Sequence, residues 1–264
     1  MSKLWECWIF KIWRVRIYNR NPARVLNSGR VFTSMNVQKI FTSFGGTFHV
    51  PVSTLKKKLH SVEAYFFDWD GVFNDGRKDS SSDGSNFSEV DSMGINLLRF
   101  GHWLQFGKLP FTAIITGEQN PPAIHFAERE HFDCVYYKVK HKIEAAKEME
   151  KKYSISLEKS VFIFDDVLDV SLAEHCGVRF FVQRKSAPLF SSFLKEKNLV
   201  EYSTGNTSSQ FGVREVCELI LGIQQYYNIV LEKRIAFDDD YQNYLQAKEK
   251  IVTEIQQYGK TGKI

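Results

Sequence analysis

The feature that most constrains this chain is an apolar run that stops at two acids and a turn. Val62-Glu63-Ala64-Tyr65-Phe66-Phe67 leads directly into Asp68-Trp69-Asp70-Gly71-Val72-Phe73-Asn74-Asp75-Gly76. The run reads as a buried strand that delivers Asp68 and Asp70 to the end of a sheet. In open α/β sheets ligands sit just beyond the carboxyl ends of the strands, so acids placed there are positioned for chemistry rather than solubility.

A carboxylate in that position can attack phosphorus, but its charge repels a phosphate dianion unless a cation neutralises both. A divalent metal that prefers oxygen ligands, such as Mg²⁺, meets that need. A second carboxylate two residues on can act as general acid toward the leaving alkoxide and general base toward water. Asp68-x-Asp70 alone is weak evidence, because acidic pairs are common in loops.

The surrounding pattern strengthens it. Apolar runs of strand length, Val62 to Phe67, Phe111 to Ile115, Cys134 to Tyr137, Val161 to Phe164 and Val178 to Val182, alternate with amphipathic helical stretches. That alternation predicts an α/β domain, a parallel sheet with helices on both faces. The first four strand ends each meet a polar group: Asp68, Thr116, the segment Lys138 to Lys142, and Asp165 with Asp166. Between the first strand and its helix lies a Gly-, Ser- and Asp-rich stretch, Asp75 to Val90. It is too long for an ordinary strand-to-helix loop and too polar for a core element, so a small β-hairpin flap is expected there.

The 264 residues, 43% of them hydrophobic, suffice for one α/β domain with extensions. Residues 1–58 read as an N-terminal extension, 59–222 as the α/β domain and 223–264 as a C-terminal helical extension. The first part of the chain is aromatic and basic, with Trp5, Trp8, Arg14, Arg16, Arg20 and Arg24. It reads as a flexible tail, or as sequence ahead of a start at Met35, and not as a signal peptide. The net charge of +4 owes much to that tail, so nucleic-acid binding is not expected of the body. No run is long enough to span a membrane. Cys7, Cys134, Cys176 and Cys217 show no metal or disulfide spacing, which fits a cytoplasmic protein with reduced thiols.

In chain order the motifs are Asp70-Gly71-Val72-Phe73-Asn74-Asp75-Gly76 after Asp68, then Asp91-Ser92-Met93-Gly94-Ile95, Ala113-Ile114-Ile115-Thr116-Gly117, Asp165-Asp166-x-x-Asp169 and Phe211-Gly212-Val213-Arg214-Glu215. From Val62 to Leu221 the chain thereby resembles the haloacid dehalogenase (HAD) superfamily of phosphohydrolases, and within it the 3-deoxy-manno-octulosonate 8-phosphate (KDO 8-phosphate) phosphatases. The resemblance implies a Rossmann-like HAD fold with a minimal flap as cap. It also implies a Mg²⁺-dependent phosphomonoester hydrolase acting on a small sugar phosphate of the cell-surface (lipopolysaccharide) type, assembled as a homotetramer.

Carried over, Asp68 is the nucleophile and Asp70 the acid/base. Thr116 and Gly117 hold phosphoryl oxygens, and Lys142 neutralises charge, with Lys138 and Lys140 as neighbours that fit less well. Asp68, Asp70 and Asp165 hold the metal with Asp166 or Asp169 in support, and Arg214 reaches substrate near a subunit boundary. Phe164 stands where the family has glycine, and Glu118 where it tends to have arginine. Those departures leave open a second reading, a catalytically weak HAD-like scaffold for oligomer assembly, related to domains of sugar cytidylyltransferases.

Overall fold

The computed structural model describes residues 34–78 and 85–259. The basic tail and the tip of the expected flap lie outside the described residues. The elements run α1 (Ser34–Ser43), β1 (Thr47–Phe48), α2 (Val52–Leu59), β2 (Ala64–Phe67), α3 (Glu89–Phe106), β3 (Phe111–Ile115), α4 (Pro121–Arg129), β4 (Cys134–Tyr137), α5 (Lys142–Tyr153) and β5 (Ser160–Phe164). They continue through a 3₁₀ turn (Val167–Asp169), α6 (Val170–Ala173), β6 (Val178–Phe181), α7 (Pro188–Glu196), β7 (Tyr202–Ser203), α8 (Gly212–Gln224), α9 (Tyr227–Ala236), α10 (Asp239–Lys248) and β8 (Glu254–Gln257).

Among the described residues eight strands form one sheet in the order β1-β7-β6-β5-β2-β3-β4-β8. All neighbours are parallel except β1 against β7. Both faces of the sheet are covered along its central strands, which is why those strands read as apolar runs. Successive side chains feed opposite cores: Tyr65, Phe67, Val161 and Ile163 join one cluster, Ala64, Phe66, Phe162 and Phe164 the other. The first core also takes residues of α2, α3, α4 and α8, the second those of α5, α6 and α7.

The expected β-hairpin flap is not what connects β2 to β3. The described flanks, Asp75–Lys78 and Ser85–Ser88, contain no strand, and the connection is dominated by the 18-residue helix α3. Ser88 caps α3 by accepting from the Val90 N–H at 3.0 Å, and Glu89 and Asp91 supply acids to its first turn. The Gly/Ser/Asp composition marked a departure from regular structure, but it carries no apolar alternation that would pair two strands.

Helix α3 packs along α8, and the approach is close because Gly94 and Gly101 fall seven residues apart on the contact face. A Cβ on Gly94 would lie 3.1 Å from the Arg214 backbone, and one on Gly101 would collide with Leu221. The Asp91 carboxylate accepts the Arg214 N–H at 2.8 Å, in the first turn of α8, so one helix caps the other.

The C-terminal helices bury their aromatic residues on α3. Tyr241 and Tyr244 donate to Asn96 at 3.0 and 3.2 Å, and their rings lie 5.0 and 5.2 Å from that of Phe100. Asp238 caps α10 by accepting from Tyr241 N–H, and Lys233 pairs with both Asp238 and Asp240, so these two acids are spent on a helix start. Then β8 adds a parallel edge strand beside β4, as β1 does antiparallel at the other edge. No described helix is long and apolar enough to cross a membrane.

Gly101→Val should therefore cost about 1–3 kcal/mol of folding stability, the usual penalty for forcing atoms into a filled contact. Urea unfolding followed by circular dichroism measures it, and unchanged stability would contradict the close α3–α8 packing.

Candidate functional site

From β2 the chain builds outward on one side through β3 and β4, then returns to build β5, β6 and β7 on the other. The crevice between β2 and β5 is the point where strand order reverses, the usual ligand position in such sheets. Asp68 directly follows β2 and its N–H donates to the Ile163 carbonyl at 3.0 Å; Asp165 directly follows β5. Thr116 follows β3, its N–H bonded to the Tyr136 carbonyl at 2.9 Å, and Lys142 opens α5 after β4.

Asp68, Asp165 and Asp169 each bring a carboxylate oxygen within 4.8 Å of the others, and all three are buried. Lys142, only 3% exposed, donates through its ammonium to both Asp68 and Asp169. Lys138 and Lys140 are exposed, so Lys142 alone of that segment enters the cluster. Asp169 is set by the turn after β5: its second oxygen faces the Asp166 N–H at 3.2 Å and, more weakly, that of Asp165 at 3.4 Å. Asp166 points elsewhere and caps the turn by accepting from Val167 N–H at 2.6 Å.

The Lys142 ammonium serves two of the three buried carboxylates and Arg184 faces the third, and burial together with the neighbouring charges raises the proton affinity of Asp68 and Asp165. Burial, then the Asp169 charge, push Asp68 up to about 7 in spite of Lys142. Burial, then Asp68 and Asp169, push Asp165 up to about 9, with Arg184 opposing. Burial disfavours the Lys142 charge, but Asp169 and Asp68 outweigh it and hold the amine above its ordinary value.

A hard divalent cation fits this donor set, which offers only carboxylate oxygens. Asp165 supports the fit most directly, because its buried Oδ1 has no hydrogen-bond partner. Its Oδ2 lies against the Arg184 guanidinium as an ion pair, without hydrogen-bond geometry.

The carboxylate of Asp70 stands outside this trio. It accepts from Ser85 Oγ at 2.7 Å and from Asn120 Nδ2 at 2.9 Å, and faces Lys78 Nζ at 3.3 Å. The same Asn120 amide also donates to Thr116 Oγ1 at 2.9 Å, so one buried side chain ties Asp70 to Thr116. Gly71, directly after Asp70, turns the chain at φ +85°, where a Cβ would collide with Arg184 and Asp165. Gly117 continues from Thr116, and Glu118 is exposed. Phe164 belongs to the core: it is fully buried and its ring stacks on that of Phe162 at 5.5 Å.

Arg214 lies elsewhere. Its Nε donates to Glu218 at 2.7 Å, and it lines a cavity of about 440 Å³ between α1 and α8 whose walls include none of these carboxylates.

Sequence reasoning missed Asn120, Ser85, Lys78 and Arg184. Asn120 stands at the N-cap position of α4, yet its side chain makes no capping bond there. A polar residue one turn beyond Thr116 was the available signal. Arg184 follows β6 with no motif around it.

No family model matches the chain, and neither does any curated protein. Solved structures do. A subfamily III A member of the HAD hydrolase superfamily from Legionella pneumophila superposes with a TM-score of 0.58 at 23% identity, over 70% of this chain and 95% of that one. The KDO 8-phosphate phosphatase of Moraxella catarrhalis, in complex with magnesium ion, phosphate ion and KDO, gives 0.57 at 23% over 68% and 97%. The cobalt-bound phosphatase of the same description from Haemophilus influenzae gives 0.54 at 22% over 65% and 94%. The chain has the HAD superfamily fold.

The raised pKa values set a pH dependence for the metal-free protein. Both carboxyls titrate higher in the folded state than the 3.8 of a free aspartate, so their stabilising contribution is fully present below about 3.8. It is lost as pH rises through about 7 for Asp68 and about 9 for Asp165. With EDTA, Tm should fall between pH 5.5 and 8.5, Mg²⁺ or Mn²⁺ should shrink the fall, and Asp165→Asn should flatten it. A Tm unchanged across that range in EDTA would contradict the crowded-carboxylate picture.

Proposed function

We propose that this chain is a phosphomonoester hydrolase of the HAD type that works through an aspartyl phosphate on Asp68 and uses Mg²⁺. The observation that carries the reading is the trio Asp68, Asp165 and Asp169 within 4.8 Å at adjacent strand ends, with the Lys142 ammonium buried against two of its members. Such a site suits an anionic phosphoryl group attacked by a carboxylate, because the cations present offset the repulsion between nucleophile and substrate.

In this reading Lys142 holds one oxygen of Asp68 and so orients the other toward phosphorus. The Asp68–phosphorus bond forms as the ester oxygen leaves, and Asp70 gives that oxygen a proton. Asp70 then takes a proton from water, the water oxygen bonds to phosphorus, and phosphate departs from Asp68. Thr116 Oγ1 and the backbone at Gly117 receive the phosphoryl oxygens, and Asn120 keeps Thr116 and Asp70 in register. Mg²⁺ would be held by Asp68 and Asp165 with Asp169 and the Asp70 segment beside them, and it would supply charge neutralisation for the transferred group.

The substrate in this reading is a small acidic sugar phosphate, with KDO 8-phosphate the first compound to try, and the fold likeness to KDO 8-phosphate phosphatases supports that choice. The working unit in this reading is a homotetramer. Arg214 reaches a substrate only across a subunit boundary, so its assignment stands or falls with that assembly.

A phosphate-release screen of sugar phosphates with Mg²⁺, including KDO 8-phosphate, tests the reading. Asp68→Asn should lower turnover at least about a thousandfold with its circular dichroism unchanged, since an amide cannot serve as the nucleophile. Activity that survives in that variant, or that persists undiminished in EDTA, would contradict the mechanism.

A further inference from the structure

Arg184 has no part in the steps above, yet it reaches Asp165. Its guanidinium arrives from the loop after β6 and passes two glycines with positive φ, Gly71 at +85° and Gly76 at +75°. A Cβ on Gly71 would overlap it, and one on Gly76 would lie 3.5 Å from it. The turn that holds these glycines is fixed by Asn74, which accepts from Gly76 N–H at 2.9 Å and donates to the Trp69 carbonyl at 3.3 Å. The guanidinium therefore occupies a slot in which the turn carries no side chains.

The contact at the end of the slot is unequal. Asp165 is fully buried at its side chain, while Arg184 is 35% exposed and can withdraw toward solvent. The pair lacks hydrogen-bond geometry and leaves Asp165 Oδ1 without a partner, so it rests on charge alone. The other cations of the site are placed differently. Lys142 is wedged between Asp68 and Asp169, and Lys78 faces Asp70 rather than the trio. Arg184 is thus the one among the described cations that a divalent ion arriving at Asp165 must meet and that is free to move aside.

We propose that Arg184 is an exchangeable counter-charge: it balances Asp165 when no metal is bound, is displaced by the divalent cation, and then serves the incoming phosphoryl anion at the mouth of the site. The proposal rests on the metal-dependent reading of the site and adds to it a residue with opposite effects on its two ligands. While paired with Asp165 the guanidinium competes with the cation; once released, it contributes positive charge toward the anion.

Titration calorimetry tests this on EDTA-treated, dialysed protein, first with MgCl₂ or MnCl₂ and then, on Mg²⁺-saturated protein, with inorganic phosphate. Arg184→Gln, checked for wild-type circular dichroism, should bind Mg²⁺ roughly three- to tenfold more tightly, the scale of a partly screened ion pair. It should bind phosphate more weakly by a similar factor, and Arg184→Lys should restore both toward wild type. Wild-type Mg²⁺ affinity in Arg184→Gln overturns the competition. Tighter Mg²⁺ with unchanged phosphate affinity overturns the transfer to the anion. A wild-type protein that binds neither Mg²⁺ nor Mn²⁺ removes the metal reading itself, an outcome distinct from a failure of Arg184.

Discussion

The ammonium of Lys142 buried between Asp68 and Asp169, with Asp165 alongside, is the interaction on which the rest of the site depends. An isolated carboxylate taken out of water is expensive, and three together are sustained only by protons, a cation or both. Burial first, and then that imbalance, push Asp68 up to about 7 and Asp165 up to about 9, and the crowding makes the cluster receptive to a divalent ion. A site built for stability alone would replace such a group with apolar side chains.

The sheet makes this concentration of charge possible. Parallel strands β2 and β5 end side by side, each buried on both faces, so the residue after each is delivered to one crevice, Asp68 with its N–H already bonded to the Ile163 carbonyl. The turn at Gly71 leaves room for Asp165 and Arg184 where any side chain would intrude. Asn120 then joins the β2 and β3 ends through Asp70 and Thr116. Loops extending from a rigid sheet thus hold groups whose mutual repulsion would otherwise spread them apart.

Much of the fold was legible because the five central strands, buried on both faces, are continuous apolar runs ended by polar residues. The edge strands were not. Thr47-Phe48 and Glu254-Ile255-Gln256-Gln257 are short or polar, and only a neighbouring strand gives them their form. The Asp75–Val90 segment showed by composition that regular structure breaks there, but composition does not say whether strands pair within it. In the site, Asp68, Thr116, Lys142 and Asp165 could be picked out because strand ends and a helix start locate them. Asp169 enters through a tight turn four residues after Asp165. Asn120 enters through a tertiary contact whose only trace is a polar residue one turn beyond Thr116, and Arg184 through one that leaves no pattern in the chain.

The central claim is that Asp68 becomes covalently bonded to phosphorus. It is tested most directly by acid-quenching the protein during turnover of a phosphomonoester it hydrolyses, with Mg²⁺ present, and mapping the phosphorylated peptide by mass spectrometry. The account predicts a hydroxylamine-labile phosphate on the peptide that carries Asp68 and none on Asp70 or Asp165. Steady turnover with no phosphate on Asp68, or with the phosphate on another residue, would contradict it.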